Sequence, residues 1–465
     1  MPPPIPQAHA RTETARIHKQ DNAMKPIRLA FFTLFIGLTL VWLLANGFDS
    51  SNYSDFWPLR KEMVRYSGIL AIAAMSIAVF LAARPVRMEP VLRGLDKSYR
   101  LHKWLGVAAL VLSVLHWSWA QIPKWLVGYG WLERPERHAA TLQSGLLGWL
   151  HEQRGLAENI GEWAFYLALV LIVLALIKRL PYRWFFRTHR WLALVYLALV
   201  VHGAVLFPPE WWPSILGAAM GLLLIAGSVA ACVSLLRRIG RKRQVIGRID
   251  ALTYHHDNQV LRVEIMLDGP WPGHKAGQFA FVTFDAQEGP HPFSLSSAWR
   301  NDGKLAFSIK GLGDYTRTLP DALKQGDLVM VEGPYGCFDF RGRKAGQIWV
   351  AGGIGIAPFI GRLQALAHND QRRDIVLIYC TSAPDHAFIE RIRALAARAR
   401  IRLHVQVSSE DGRLTPERLR QLTPDWKTRD IWFCGPAGFG NDLRDDLTER
   451  GLAAADFHQE LFNMR

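Results

Sequence analysis

LHKWLGVAALVLSVLHWSWA (101–120) and THRWLALVYLALVVHGAVLF (188–207) decide how this chain is built. Each run is apolar over close to the ~20 residues that a helix needs to cross a bilayer. Each also carries two histidines: His102 and His116, 14 apart, and His189 and His202, 13 apart. An imidazole within hydrocarbon is costly to hold without a partner, so it marks a site by default. At about 1.5 Å rise per residue, either spacing separates its two rings by roughly 20 Å along a helix. Two such helices side by side offer one histidine pair near each membrane face. Fourteen residues return nearly to the same helix face, whereas 13 land roughly 140° away. Pro181, eight residues before His189, leaves room for an irregular start to the second helix. Haem iron takes neutral imidazole axially, so bis-histidine ligation of two stacked haems is the use to which the four residues point. Taken singly, each histidine has a competing reading as an interfacial cap.

Working outward, six apolar spans are expected, at roughly 28–47, 67–83, 103–121, 161–178, 190–207 and 214–236. The first lacks a small-residue cleavage site and reads as a span rather than a signal peptide. Residues 1–26 before it are polar and Pro-rich and read as a disordered tail. Basic clusters fall between spans two and three (Arg84 to Lys103), between four and five (Lys178 to Arg190), and after six (Arg237 to Arg243). By the positive-inside rule those loops, both termini and the C-terminal half are cytoplasmic, and the protein is multi-pass in a plasma or cell inner membrane. His102 and His189 then belong to the inner face, His116 and His202 to the outer. Trp117, Trp119, Trp211 and Trp212 read as an interfacial aromatic belt.

The net charge of +15 is explained by the clusters that flank spans, where anionic lipid and topology account for it. Nucleic-acid binding is therefore not expected. Cys232, Cys337, Cys380 and Cys434 have no CxxC spacing, which argues against a disulfide framework or a zinc site. No DxDxDG loop is present, so calcium gating through this chain is not expected.

After RRIGRKRQ the period changes. Six short strand-like runs between 245 and 336, bounded by Gly, Pro, Asp or Asn, suggest a small antiparallel barrel. From residue 347 strands alternate with helices: IWVAGG, IVLIYCTS, LHVQVSS and DIWFCGP each lead into a helical run, as in a parallel sheet. Gly352, Gly353, Gly355 and Pro358 of AGGIGIAPF occupy the first strand-to-helix turn. Glycines there let the backbone approach a pyrophosphate, whose charge the helix N-terminus favours. CGP (434–436) marks a second strand end on the same carboxyl edge.

HPFSLSS (291–297), GPYG (333–336), AGGIGIAPF (351–359) and CGP resemble the ferredoxin–NADP reductase type of flavin dehydrogenase. Joined to six spans and histidines spaced 14 and 13, they resemble the NADPH oxidase and ferric reductase superfamily from about residue 27 to the C-terminus. The resemblance implies an all-α six-helix membrane bundle (27–236), an antiparallel β-barrel FAD domain (240–342) and an α/β parallel-sheet NAD(P)H domain (343–465). It implies FAD, two b-type haems and NADPH or NADH as cofactors. His291, Pro292, Phe293, Ser294 and Ser297 would line the flavin ring. Lys310, Gly311, Gly313 and Thr316 would approach the FAD pyrophosphate. Gly333, Gly353, Gly355, Pro358, Cys434 and Gly435 would hold the nicotinamide nucleotide, with Cys434 and the C-terminal Phe462 at the catalytic centre. Phe462 matches the family's flavin-covering aromatic; a hydrophobic tail anchor is its other reading.

The implied activity is electron transfer from cytoplasmic NAD(P)H through FAD and the haems to an acceptor on the outer face. The acceptor is a ferric chelate, or oxygen in a superoxide-producing oxidase. Ala120 stands where oxidases of the family carry a further histidine, which leans toward the chelate. Arg65 is open as a polar group near the outer haem or as an interfacial anchor. Ser382 follows the second strand where a 2′-phosphate site would carry Arg; Arg391 and Arg413 are more remote candidates. A histidine-relay transporter with a regulatory nucleotide-binding tail is the alternative from another class. It asks for acids within spans, and the expected spans contain one, Glu162.

Overall fold

The computed structural model describes residues 21–46, 55–134, 148–149, 152–177, 179–367, 374–382 and 384–460. They form two compact units: one of residues 27–88 and 97–239, the other of 89–96 and 240–464. Most of the expected tail, 1–20, lies outside the described residues, as do His138 and His151 of the loop before the fourth helix.

The first unit holds six helices long and apolar enough to cross a membrane. They are α1 (Asp21–Asn46), α2 (Phe56–Ala82), α3 (Leu95–Gly128), α4 (Arg154–Leu176), α5 (Tyr182–Leu206) and α6 (Ile215–Leu235). The number of spans matches the expectation, but every helix except α6 overruns its apolar run. α1 begins inside the stretch expected to be disordered, α2 starts 11 residues before position 67, and α4 and α5 start seven and eight residues early. The reason is physical: an apolar run marks the segment that must meet hydrocarbon, while backbone hydrogen bonding carries the helix on into the polar margin.

Small residues recur on the packed faces. Ala71, Ala74 and Ala78 of α2 and Ala230 and Ala231 of α6 are buried, while Leu29, Phe32, Ile36, Leu40 and Leu44 of α1 stand exposed where lipid would lie. With no hydrophobic drive between helices in lipid, close packing and polar contacts hold the bundle. One such contact joins α2 to α5, where the buried Ser76 and Tyr196 hydroxyls meet at 2.8 Å. A Cβ on Gly227 of α6 would collide with that Tyr196 hydroxyl.

α3 contains Pro123, which has no N–H to give to the Trp119 carbonyl one turn back. Arg60 of α2 supplies the replacement. Its Nε donates to Trp119 O at 3.1 Å and its Nη2 to Ala120 O at 2.9 Å. The early start of α2 also brings an acid that the expected spans omitted. Glu62 is 3% exposed and accepts a hydrogen bond from Arg65 Nη1 at 3.0 Å.

The second unit contains two sheets. The antiparallel one has the order β4-β3-β6-β1-β2-β5. Its strands are β1 (Gln244–His255), β2 (Val260–Leu267), β3 (Phe279–Thr283), β4 (His291–Ser294), β5 (Lys304–Lys310) and β6 (Leu328–Tyr335). A single bridge, Leu295 to Phe307, joins the end of β4 to β5. The parallel sheet has the order β11-β10-β7-β8-β9. It consists of β7 (Gly346–Gly352), β8 (Ile375–Thr381), β9 (Arg402–Val407), β10 (Arg429–Cys434) and β11 (Phe457–Gln459). Every residue of β7, β8 and β10 is buried, as a sheet covered on both faces requires. The turn Glu89–Asp96 between α2 and α3 belongs to this unit, and the Glu89 carboxylate accepts from Gly336 N at 2.6 Å.

Candidate functional site

The four histidines form two pairs across α3 and α5. The His102 and His189 ring centres lie 5.8 Å apart, and those of His116 and His202 lie 6.2 Å apart. Two imidazoles on opposite sides of one metal, each nitrogen roughly 2 Å from it, put their ring centres about 6 Å apart. Both pairs therefore leave room for an iron between them. α5 is regular from Tyr182 with Pro181 as its N-cap, so His189 sits two turns inside the helix rather than at an irregular start. The rings are turned by what each Nδ1 finds. His102 Nδ1 meets Ala78 O at 2.8 Å, His116 Nδ1 meets Val64 O at 2.9 Å, and His202 Nδ1 meets Ala157 O at 2.8 Å. A carbonyl only accepts, so these Nδ1 atoms carry the proton and Nε2 keeps its lone pair for a metal. The partner carbonyls on α2, Val64 and Ala78, are 14 residues apart, as are His116 and His102 on antiparallel α3. One register thus serves both rings. His189 differs: its Nδ1 is buried with no hydrogen-bond partner, and the ring stacks on Phe185 at 5.0 Å.

Glycines make space for the second pair. A Cβ on Gly161 of α4 would collide with His202 Nδ1, and one on Gly68 of α2 would come within 3.1 Å of His116. Arg65 lies over the Trp211 ring at 5.1 Å, with Glu62 and, at 3.8 Å, Glu210 beside its guanidinium. Trp211 is buried, so it is a packing residue and not a member of an interfacial belt. Arg60, which sequence reasoning passed over, reaches α3 at Ala120. Its signal was Pro123, whose missing N–H calls for a donor one turn back.

In the second unit, His291 and Pro292 begin β4, and Phe293 pairs with Ala280 of β3. His291 stacks on Tyr315 at 4.6 Å, and burial lowers its pKa to about 4. Ser294 is buried, and the Ser297 hydroxyl accepts from Ala306 N at 3.0 Å, tying the chain after β4 to β5. Gly311, Gly313 and Thr316 gather at the start of α7 (Asp314–Ala322). There the Thr316 hydroxyl accepts from Leu312 N and Gly313 N at 3.1 and 3.0 Å. A Cβ on Gly313 would meet nothing within 4 Å, so this helix N-terminus is open to an anion. Lys310, the last residue of β5 and next to Gly311, also lines a cleft with Gly353, Tyr379, Thr381 and Phe388.

At the carboxyl edge of the parallel sheet, Gly353 has φ +57° and open space where a Cβ would stand. Backbone at that turn can approach a phosphate as no other residue type allows. Gly355 is fixed for another reason: its Cβ would collide with the Cys434 carbonyl oxygen. Pro358 is buried in the first turn of α8 (Ala357–Leu366). Gly435 packs on Gly352, and Gly333 on Ala280. Cys434 is fully buried, and burial, then the Glu460 carboxylate, push its thiol well above the usual value. It has no thiolate character at neutral pH. Phe462 lies outside the described residues.

Three family models match in chain order: "Ferric reductase like transmembrane component" over 67–200, "FAD-binding domain" over 248–338 and "Oxidoreductase NAD-binding domain" over 349–445. The chain has the architecture of the ferric reductase and NADPH oxidase superfamily. A superfamily chain of this kind is a multi-pass membrane protein with FAD- and NAD(P)H-binding oxidoreductase domains. Among curated relatives it is 30% identical over 220 residues to a flavohemoprotein of Bordetella pertussis, covering 42% of this chain and 54% of that one. It is 32% identical over 178 residues to an NADPH oxidoreductase of Mycobacterium tuberculosis, covering 37% and 47%. The chain thus spans about half the length of these relatives. Among solved structures, the flavohem-like FAD/NAD-binding domain of a nitric oxide dioxygenase from Vibrio cholerae is 23% identical. That match covers 46% of this chain and 97% of the other, with a TM-score of 0.41.

Proposed function

We propose that the chain carries electrons from cytoplasmic NAD(P)H across the membrane to a one-electron acceptor on the outer face. The carrying observation is the pair of histidine pairs, 5.8 and 6.2 Å between ring centres, with three Nδ1 atoms held by helix carbonyls. His102 with His189, and His116 with His202, would each hold one b-type haem. When bound, FAD would take hydride from the nucleotide and the haems would carry single electrons through the hydrocarbon.

The protein's own part is placement. Carbonyls of α2 and α4 fix ring orientation, and Gly68 and Gly161 give the outer rings room. His291, Phe293 and the antiparallel sheet, which the Leu295–Phe307 bridge would help close as a barrel, would flank the flavin. The open turn at Gly311 and Gly313 would take its pyrophosphate. Gly353, Gly355, Pro358 and Gly435 would seat the nicotinamide nucleotide, and Phe462 would cover the flavin ring. Burial keeps His291 uncharged at neutral pH, so the flavin would meet an aromatic face there and not a cation.

A ferric chelate is the acceptor we favour. At Ala120 no imidazole is present, and its carbonyl is already taken by Arg60. The domain boundaries follow as 27–236, 240–342 and 343–465. The purified, flavin-loaded protein should show two b-type haems per chain, reduced anaerobically by NADH or NADPH. Rapid mixing with ferric citrate or with oxygen then assigns the acceptor: fast haem reoxidation by the chelate supports a metalloreductase. Fast reoxidation by oxygen with superoxide released makes it an oxidase. Absence of haem, or haem that no nucleotide reduces, contradicts the reading.

A further inference from the structure

An antiparallel sheet with one solvated face turns apolar side chains inward and polar ones outward in strict alternation. β1 and β6 break that rule over one stretch. Ile249 of β1 and Val329 and Val331 of β6 belong to the apolar core, as the rule asks. Yet Ile246 is 52% exposed, Leu328 58% and Met330 38%. The register joins these three into one patch: Ile246 pairs with Met330, and its same-face neighbour Arg248 pairs with Leu328. Apolar side chains scattered singly over a surface are ordinary, but a contiguous set marks a contact.

Cations rim this patch. The 3-10 turn Arg241–Arg243 runs directly into β1. Arg243 donates to Pro334 O at 2.7 Å and lies over the Tyr335 ring at 5.2 Å, which fixes the turn against the end of β6. Arg241 and Lys242 are exposed, and neither forms an ion pair among the described residues. Arg248 is exposed as well, with the Asp268 carboxylate 3.5 Å away. Two unanswered cations and three exposed apolar side chains therefore share one surface. A lipid surface of negative charge offers a partner to both kinds of side chain, phosphate at the headgroups and hydrocarbon just beneath. Such a surface is within the reach of the chain. Arg238 N still bonds Val233 O of α6, and Ile246 follows eight residues later, at most roughly 30 Å away.

We propose that the outer face of β1 and β6 docks on the anionic inner leaflet of the membrane that the helices span. Ile246, Leu328 and Met330 enter the interface, and Arg241 and Lys242 meet the headgroups. The proposal rests on the cytoplasmic placement of this unit in the reading above, and not on the haems or the electron path.

The full-length holoprotein in nanodiscs of phosphatidylcholine, with and without phosphatidylglycerol, tests it. Hydroxyl-radical footprinting reads the access of Ile246, Leu328 and Met330 by mass spectrometry. Phosphatidylglycerol should lower their labelling roughly threefold or more at low salt, and added salt should reverse the change, because exposed charges are screened. The double variant Arg241→Glu with Lys242→Glu should restore the labelling. Its flavin should still be reduced by nucleotide at the unaltered rate in detergent, since neither residue belongs to the flavin or nucleotide seat. Equal labelling in the two kinds of disc overturns the proposal, and so does protection that the double variant keeps. Protection that follows protein concentration and not the anionic lipid also overturns it, and gives the face to a second copy of this chain. Haem reduction is measured on the same discs, so a failure of electron transfer and a failure of docking are seen separately.

Discussion

Gly161 is where one atom decides whether the second histidine pair can form. A methyl group there would collide with His202 Nδ1, while that nitrogen is held by Ala157 O on the same helix. The ring has to leave its carbonyl, and orientation of a metal-bound imidazole depends on that bond. Gly161→Ala should lose roughly half the haem of the purified protein, since an orienting partner is worth 10–100-fold in metal affinity. Haem content per chain checks it; full retention contradicts it. His291 carries a second prediction. Its pKa is lowered by burial to about 4, against about 6.5 in an unfolded chain. Between those values the unfolded chain binds a proton that the folded site refuses, so stability falls as pH drops from about 6.5 to 4 and levels off below. The slope is at most about 1.4 kcal/mol per pH unit, reduced by the ring's partial exposure. Denaturant midpoints at several pH values should show it, and His291→Gln should flatten that part of the curve.

At the scale of elements, α2 shows how a helix can act as a ruler. Its carbonyls at Val64 and Ala78 meet rings 14 residues apart on α3, and its Arg60 caps the carbonyls next to Pro123. Removing Arg60 alone leaves the part-buried Trp119 carbonyl without a donor, at about 1 kcal/mol or somewhat more. Arg60→Met should therefore lower thermal stability. In a Pro123→Ala background, where the helix regains its own N–H, the same change should cost much less. Additive losses would contradict this pairing of roles. The histidine pattern, six spans, strand run and glycine turns were all legible in the sequence, because lipid, pleat and phosphate each impose a strict residue pattern. Helix ends were less so: apolar runs do not register the polar turns of α2 that hold Arg60, Glu62 and Arg65. The 13-residue phase of His189 and His202 does not keep either ring from its partner on α3, at 5.8 and 6.2 Å between ring centres.

For the whole molecule, the architecture joins a ferric-reductase-like membrane unit to FAD- and NAD-binding domains, and the proposed activity requires electrons to cross through both histidine pairs. The turn Glu89–Asp96 groups with the dehydrogenase sheets, and burial, partly offset by the Gly336 amide, raises the Glu89 pKa. Glu89→Ala should loosen the Gly336 turn, seen as faster amide exchange across residues 333–337. The central test uses proteoliposomes with the nucleotide-binding domains facing outward and a membrane-impermeant ferric chelate trapped inside. Unaltered protein should reduce the trapped chelate when NADH is added outside. His116→Leu should bring that reduction to background while an external dye is still reduced. Continued reduction of the trapped chelate by the His116→Leu protein would contradict a relay through both pairs.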